Sequence, residues 1–178
     1  MCIRDRFELD AADRWIDRHF AFVVAGEGDE TDLHWVLEKV SAAILRFEAS
    51  LVVIDPWNEM DHARPRDMTI TEYVGFALRQ FKRLAQRHAV HVIVVAHPAK
   101  MQRGKDGKYP FPNLSDISDS AHWGNKADIG VVVHRPSLID KKETIVRVVK
   151  SRYASEIGIP GEITVVWDEA RTRFEAAG

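Results

Sequence analysis

The sequence predicts an α/β fold with a mainly parallel sheet flanked by helices. Three short apolar runs, at residues 51–54, 91–96 and 129–134, have the length of buried strands. Amphipathic helical patterns precede the first two runs, and strands that alternate with helices are typical of parallel sheets. We expect the strands of the first two runs to be buried on both faces, because runs this apolar are typical of fully covered strands.

The helices are predicted from apolar residues at helical spacing. The first runs over residues 8–19 and the third, which is long, over residues 69–88. The second begins after Thr31 or Asp32, because side-chain oxygens at that position can accept the free backbone N–H groups of a first turn. Its apolar stripe consists of Leu33, Val36, Leu37, Val40, Ala43, Ile44 and Phe47.

The remaining segments complete one domain, as a length of 178 residues suggests. The apolar run at residues 20–24 predicts a strand directly after the first helix. Residues 143–150 and 161–167 predict a C-terminal antiparallel β-hairpin. Residues 1–6 look unrelated to the rest of the chain, so we interpret them as a non-native start and place a single partial domain at residues 7–178.

The composition excludes several classes of protein. It is 46% hydrophobic and 29% charged, which is ordinary for a globular chain and unlike disordered, collagen-like or disulfide-rich proteins. No apolar run approaches the roughly 18 residues that span a bilayer, and no secretory leader is visible. The single cysteine, Cys2, allows neither an internal disulfide nor a cysteine-based zinc site, so we expect a reducing, cytoplasmic location without membrane contact.

The basic charge is concentrated in one segment, although the net charge is −2. Residues 79–108 carry eight basic side chains and one acidic one, which favours a local anionic partner. Four of these cations, followed by Tyr109 and Phe111, lie in a Gly-containing loop; they are Lys100, Arg103, Lys105 and Lys108. Cations beside aromatic rings suit single-stranded nucleic acid, although a loop that is merely solvated explains them equally well.

Polar residues follow the predicted strands where a ligand would bind. Asp55 and His97 stand at the carboxyl ends of the first two strands, and ligands of parallel sheets bind at that edge. Asp55 could hold the water shell of Mg²⁺ and His97 could contact a phosphate, whereas a turn carboxylate and a structural histidine are the simpler alternatives. Lys150 and Arg152, two residues apart, either contact phosphate together or protect an exposed strand edge.

The sequence gives little support for a zinc site or for a serine nucleophile. The sequence has eight histidines, but they form neither H-E-x-x-H nor a Cys/His pair at zinc spacing. G-x-S-x-G, the motif of a serine nucleophile, is absent as well.

Taken together, four ordered segments resemble one family. The segment at 51–58, LVVIDPWN, resembles the Walker B segment of RecA-like hexameric helicases, and 94–98, VVAHP, resembles their next strand, which senses nucleotide. Residues 116–128 are similar to the segment before their following strand, and 149–161 to their Lys-x-Arg finger strand and hairpin. The family is that of the DnaB-like replicative helicases, in the phage primase–helicase and Twinkle branch, and the likeness covers most of residues 7–175.

The resemblance implies roles for the residues already singled out. Asp55 would be the Walker B acid for Mg²⁺, and His97 would sense the γ-phosphate of ATP. Lys150 and Arg152 would reach the nucleotide of the neighbouring subunit in a hexameric ring, with Arg152 as the arginine finger. Loops at 99–113 and 57–68 would face a channel that holds single-stranded DNA.

One motif of the family is absent. A P-loop needs G-x-x-x-x-G-K-[ST], and neither Gly104-Lys105 nor Gly107-Lys108 fits it. We therefore expect the C-terminal part of a RecA-like domain without its P-loop portion, which binds ATP poorly and is inactive by itself. Two alternatives stay open: a RecA-like ATPase of the plasmid-replication or recombinase kind, and a non-catalytic module for nucleic-acid binding or assembly.

Overall fold

The computed structural model describes residues 6–104, 109–117, 121–136 and 143–177. Five α-helices and six strands lie in these ranges, with short 3-10 helices at Trp57–Glu59 and Leu114–Asp116. The helices are α1 Arg6–His19, α2 Leu33–Phe47, α3 Ile70–His88, α4 His122–Lys126 and α5 Ala154–Ile157. The strands are β1 Leu51–Ile54, β2 His91–Val94, β3 Ile129–His134, β4 Glu143–Ser151, β5 Gly161–Asp168 and β6 Arg173–Ala176. No described helix is long and apolar enough to cross a membrane.

The two long helices begin at the residues that the sequence indicates. The Asp32 side chain caps α2 by accepting a 2.8 Å hydrogen bond from the backbone N–H of Trp35. Thr69 and Glu72 form a capping box at the start of α3, in which each side chain accepts the backbone N–H of the other residue. The bond from the Thr69 backbone also lowers the pKa of Glu72, because it stabilises the carboxylate.

Strands β1 and β2 form a parallel pair that is covered on one face. Val52 and Ile54 point toward the helices, whereas Leu51 is 50% and Val53 55% exposed. The prediction that both faces are buried is therefore wrong for the described residues. The physical reason is that α2 and α3 both pack on the same face of the pair, and no described element covers the other.

The core lies between this parallel pair and its helices. It is rich in aromatic side chains, and the Trp57 ring meets the Trp123 ring edge-on at 5.4 Å between centroids. The buried members are Leu33, Val36, Ile54, Trp57, Met60, Tyr73, Val74, Ala77, Phe81 and Trp123.

The C-terminal strands form a four-stranded antiparallel sheet in the order β3-β4-β5-β6. The predicted hairpin is confirmed as β4 and β5, which pair from Glu143 opposite Val166 to Val148 opposite Gly161. Antiparallel pairing is nevertheless more extensive than predicted, because β3 and β6 flank this hairpin. The α/β class is confirmed, and β1–β2 is the parallel pair within the described residues.

The predicted strand at residues 20–24 is wrong. The segment has no regular secondary structure, and no described strand pairs with it. Its apolar side chains are exposed, with Val24 at 81%. An apolar run becomes a strand only when a neighbour takes up its backbone hydrogen bonds, and the described chain offers none here.

The boundaries of the domain stay a prediction. Helix α1 begins at Arg6, whereas residues 1–5 lie outside the described part of the chain. The interpretation of residues 1–6 as a non-native start is therefore untested.

Candidate functional site

Asp55 and His97 lie at the same edge of the parallel pair. Strands β1 and β2 are in register with Ile54 opposite Val94, so the two chains leave the sheet side by side. The pairing extends past the strands: the N–H of Val95 donates to the carbonyl of Ile54 at 2.9 Å. The edge predicted from the two strand ends is therefore present, and both side chains are exposed there.

Asn58 connects the two chain segments of this edge. Its Oδ1 accepts a 2.8 Å hydrogen bond from the backbone N–H of His97. The N–H of Trp57 also donates to the carbonyl of Val95 at 2.8 Å. Two hydrogen bonds thus join the chain end that carries His97 to the segment that follows Asp55. Sequence reasoning gave Asn58 no role, because an amide in a loop carries no signal until the opposite strand is placed.

Among the described residues, few side chains at this edge could bind a metal ion. Asp55 accepts no hydrogen bond from any described residue, so its carboxylate faces solvent. Among the described residues, no three His, Cys, Asp or Glu side chains come together as a metal-binding group. One exposed carboxylate suits Mg²⁺, which keeps several waters and takes its other ligands from substrate phosphates. The residues present therefore fit part of a Mg²⁺–nucleotide site.

The start of the 57–68 loop is fixed in the body of the protein. Trp57 is only 3% exposed, and Met60 is also buried. The Asp61 carboxylate accepts a 2.7 Å hydrogen bond from the backbone N–H of Thr31. Residues 63–67 are the longest exposed stretch of this loop, in which Asn58, Glu59 and Asp61 are exposed as well. The Trp57 ring is therefore covered by the core and is not available to a ligand.

Lys150 and Arg152 both point to the end of α4 and so lie on the same side of the chain, as their spacing in the sequence predicts. The Arg152 guanidinium donates from Nη2 to the carbonyl of Asn125 at 2.6 Å. The Lys150 ammonium donates to the carbonyl of Gly124, and the Asn125 carbonyl lies 3.5 Å from its Nζ. Carbonyls at a helix C-terminus lack partners within the helix and carry partial negative charge, which suits cations.

A carboxylate that sequence reasoning did not single out completes this cluster. Asp128 Oδ1 accepts from Arg152 Nη1 at 2.8 Å, and Lys82 Nζ on α3 lies 2.8 Å from the same oxygen. Burial lowers the pKa of Lys150, and the positive charges of Arg152 and Lys82 lower it further, whereas Asp128 raises it. The four side chains thus form one electrostatic cluster, which we call the Asp128 cluster.

The position of α4 depends on close packing against α3. Gly75 on α3 faces the His122 ring at the first residue of α4, and a Cβ at Gly75 would come within 2.6 Å of that ring. Trp123 is buried in the core beside this contact. The carbonyls that receive Lys150 and Arg152 therefore lie on a firmly placed turn.

The loop at residues 99–113, which we call the basic loop, begins shortly after His97, and contacts between its two flanking segments hold its ends together. Pro98 forms an antiparallel bridge with Ile117, and the N–H of Ala99 donates to the carbonyl of Asp116 at 2.7 Å. The structure therefore brings the two ends of the loop together beside β2.

The cations of this loop are exposed where they are described. Lys100 and Arg103 face solvent, and the Arg103 Cζ lies 5.1 Å from the centroid of the Tyr109 ring. Lys105 and Lys108 lie outside the described residues, so the structure does not test their placement.

Phe111 joins this loop to the antiparallel sheet. The Cζ of Arg147 on β4 lies 3.7 Å from the Phe111 ring centroid, and the His134 ring on β3 meets it edge-on at 5.2 Å. Burial and the nearby charge of Arg147 lower the pKa of His134. Phe111 is thus an anchor of the loop on the strands that lead to Lys150.

Comparison with known proteins decides the family. The model of the DnaB-like helicase C terminal domain matches residues 25–176. The chain belongs to this family. The matched range includes the edge with Asp55 and His97 as well as the Asp128 cluster, so the resemblance seen in the four segments is confirmed.

Two relatives show how much of a larger protein this family domain represents. The Twinkle homolog protein, chloroplastic/mitochondrial, of Arabidopsis thaliana is 40% identical over 156 residues, which are 85% of this chain and 22% of that protein. A structure described as that of a DnaB-like replicative helicase and its interactions with primase matches with a TM-score of 0.64 at 20% identity. That match covers 81% of this chain and 35% of the other, and it supports the fold. The chain thus spans about a fifth of the curated relative's length.

Proposed function

We propose that the chain forms the C-terminal part of the ATPase domain of an ATP-dependent replicative DNA helicase. Such a protein moves along single-stranded DNA and unwinds duplex by hydrolysing ATP at the subunit interfaces of a hexameric ring. The observation that carries the proposal is the family match over residues 25–176, which includes both the Asp55 edge and the Asp128 cluster. The names of the two relatives, a Twinkle homologue and a DnaB-like replicative helicase, agree with it.

Asp55 and His97 would serve the nucleotide bound to their own subunit. Asp55 would contact the water shell of Mg²⁺, and His97 would donate to a phosphate oxygen. When bound, Mg²⁺ neutralises charge on the phosphate oxygens during hydrolysis. The hydrogen bond between Asn58 and the His97 backbone would hold the two residues at a constant separation.

Arg152 and Lys150 would serve the nucleotide of the neighbouring subunit. Arg152 is exposed, and its guanidinium has five N–H donors, of which the described contacts use two. The remaining donors can contact a phosphate in the forked geometry that suits arginine. Lys150, which is less exposed, would add positive charge beside it.

The basic loop would bind the DNA backbone. Lys100, Arg103, Lys105 and Lys108 provide four cations between His97 and the Phe111 anchor. A loop fixed at both ends can transmit a change at the nucleotide edge to the DNA that it contacts.

The Arabidopsis relative is named for chloroplasts and mitochondria. The cytoplasmic location that Cys2 suggests therefore stays a prediction.

A strand-separation assay tests the function through Asp55. In a longer protein that contains this chain and a P-loop, we expect unwinding of forked DNA to require ATP and Mg²⁺. Asp55→Asn removes the charge that attracts Mg²⁺, so we expect at least a hundredfold loss of ATP hydrolysis and no unwinding. The rates are measured by phosphate release and by separation of labelled strands.

Two controls accompany this assay. Glu169→Gln, which changes an exposed carboxylate of the turn between β5 and β6, should leave hydrolysis unchanged. The 178-residue chain alone, which has no P-loop motif, should hydrolyse negligible ATP. Normal hydrolysis by Asp55→Asn would contradict the Mg²⁺ role. Hydrolysis without unwinding would favour a RecA-like ATPase of the plasmid or recombinase kind.

The basic loop has a separate test in the salt dependence of DNA binding. Lys105→Ala combined with Lys108→Ala should weaken binding to single-stranded DNA. It should also reduce the slope of log K against log salt concentration by about 1.4, because each phosphate contact contributes about 0.7. Fluorescence anisotropy of a labelled oligonucleotide at several salt concentrations measures both effects.

The matched control changes two cations far from the loop. Arg171→Ala with Arg173→Ala removes the same charge from the β5–β6 end of the antiparallel sheet, where both pair with Glu175. This control should keep the wild-type slope. If the loop variant keeps it too, the loop is merely solvated.

A further inference from the structure

Asp128 is placed to control the orientation of Arg152. The Asp128 carboxylate accepts a 2.8 Å hydrogen bond from Arg152 Nη1. The backbone carbonyl of Asp128 accepts a second hydrogen bond, of 2.9 Å, from the backbone N–H of Arg152. One residue therefore holds both the main chain and the side chain of Arg152. The two meet because β3 pairs with β4 in the register that sets Ile129 opposite Ser151.

Two acceptors fix the plane of the guanidinium. Nη1 bonds to Asp128 and Nη2 to the carbonyl of Asn125 at 2.6 Å. An arginine with one partner can still rotate about its last bonds, whereas two partners on different nitrogens restrict that rotation. A fixed guanidinium with donors to spare has less conformational entropy to lose when it meets a phosphate.

Lys82 in turn fixes Asp128. Its ammonium lies 2.8 Å from Oδ1 and 3.0 Å from Oδ2, so it holds both oxygens of the carboxylate. Because Lys82 belongs to α3, the orientation of Asp128 is tied to the helix that forms the core. The chain of contacts thus leads from α3 through Asp128 to the end of β4.

We propose that Asp128 is a positioning residue, which Lys82 supports, and that it holds the Arg152 guanidinium in the orientation that contacts the neighbouring subunit's nucleotide. This inference rests on the proposed role of Arg152 across the interface. It assigns no contact with nucleotide to Asp128 or Lys82.

A spectroscopic test examines the orientation without any activity. In ¹⁵N spectra of the 178-residue chain, we expect separate, slowly exchanging Nη signals for Arg152, assigned through their loss in Arg152→Lys. Asp128→Ala should merge these signals, and Asp128→Asn, which keeps the size of the side chain, should broaden them. Glu175→Gln, which breaks exposed arginine pairs on β6, should leave them unchanged. Unchanged Arg152 signals in both Asp128 variants would overturn the proposal.

A kinetic test uses a longer, P-loop-containing protein with this chain. Asp128→Ala should lower kcat for ATP hydrolysis about tenfold and leave KM within about twofold, since Arg152 acts on the transition state. In an Arg152→Ala background, Asp128→Ala should have no further effect. Wild-type kcat in Asp128→Ala overturns the positioning role alone. Wild-type kcat in Arg152→Ala refutes the proposed interface role, and the inference with it.

Discussion

Arg152→Ala is expected to reduce ATP hydrolysis by about 10³-fold or more in a ring assembled from a longer, P-loop-containing protein, while nucleotide binding is retained. The reason is that the guanidinium would stabilise charge that develops on the transferred phosphoryl group of the neighbouring subunit. In the proposed ring, its contribution to binding of ATP in the ground state would be small, because the other subunit would supply the Mg²⁺ site. Phosphate release measures the loss, and titration with a fluorescent ATP analogue measures binding.

Mixed rings show whether the effect crosses the interface. Subunits with Arg152→Ala keep a normal Asp55, and subunits with Asp55→Asn keep a normal Arg152. Where an Arg152→Ala subunit lies beside an Asp55→Asn subunit, one of the two possible interfaces combines the normal Asp55 of the first with the normal Arg152 of the second. Mixing the two inactive variants should therefore restore part of the hydrolysis. Mixed rings that stay inactive would place Arg152 in its own subunit's site. Arg171→Ala, an exposed arginine of the β5–β6 turn, serves as the control and should be fully active.

Features determined by neighbouring residues in the chain could be predicted from the sequence. The stripe of α2 and the cap at Asp32 are local, and so is the capping box at Thr69, because each depends on residues within about one turn. The observed α2 and α3 accordingly begin where the sequence predicts. The edge that carries Asp55 and His97 could also be predicted, since parallel strands place their carboxyl ends together.

Features determined by distant partners could not be predicted. The run at 20–24 and the run at Leu51–Ile54 are both apolar, yet one is irregular and the other is a strand covered on one face. The difference is that Leu51–Ile54 has a strand and helices beside it, whereas no described strand pairs with residues 20–24. The local sequence pattern contains no information about such neighbours. Strand β6 has a single large apolar residue, Phe174, so its signal is too weak without the β5 partner.

Two members of the Asp128 cluster, Lys82 and Asp128, were missed for the same reason. Lys82, Asp128 and Arg152 are separated by more than twenty residues from one another, and their contact requires the packing of α4 on α3 and the register of β3 on β4. One local signal was present, because Asp128 directly precedes the apolar strand β3 and therefore lies at the edge of a sheet. The sequence alone gave no reason to pair it with Arg152.

Trp57→Ala should cause the largest loss of stability among the changes considered. The side chain is 3% exposed and contacts the rings of His62, Tyr73, Phe81 and Trp123. Truncation of a buried aromatic residue costs about 3–5 kcal/mol, since it removes apolar burial and leaves a cavity. A domain is stable by only about 5–15 kcal/mol, so this change removes a large share of the free energy of unfolding.

Urea denaturation followed by circular dichroism at 222 nm measures the effect. Trp57→Phe, which keeps an aromatic ring, should cost clearly less than Trp57→Ala. Trp15→Ala, at a site that is 55% exposed, should change the free energy of unfolding by no more than about 0.5 kcal/mol. Equal midpoints for Trp57→Ala and Trp15→Ala would contradict the described core. The backbone N–H of Trp57 donates to the carbonyl of Val95 and is kept in both Trp57 variants, so the difference between these variants measures the contribution of the side chain alone.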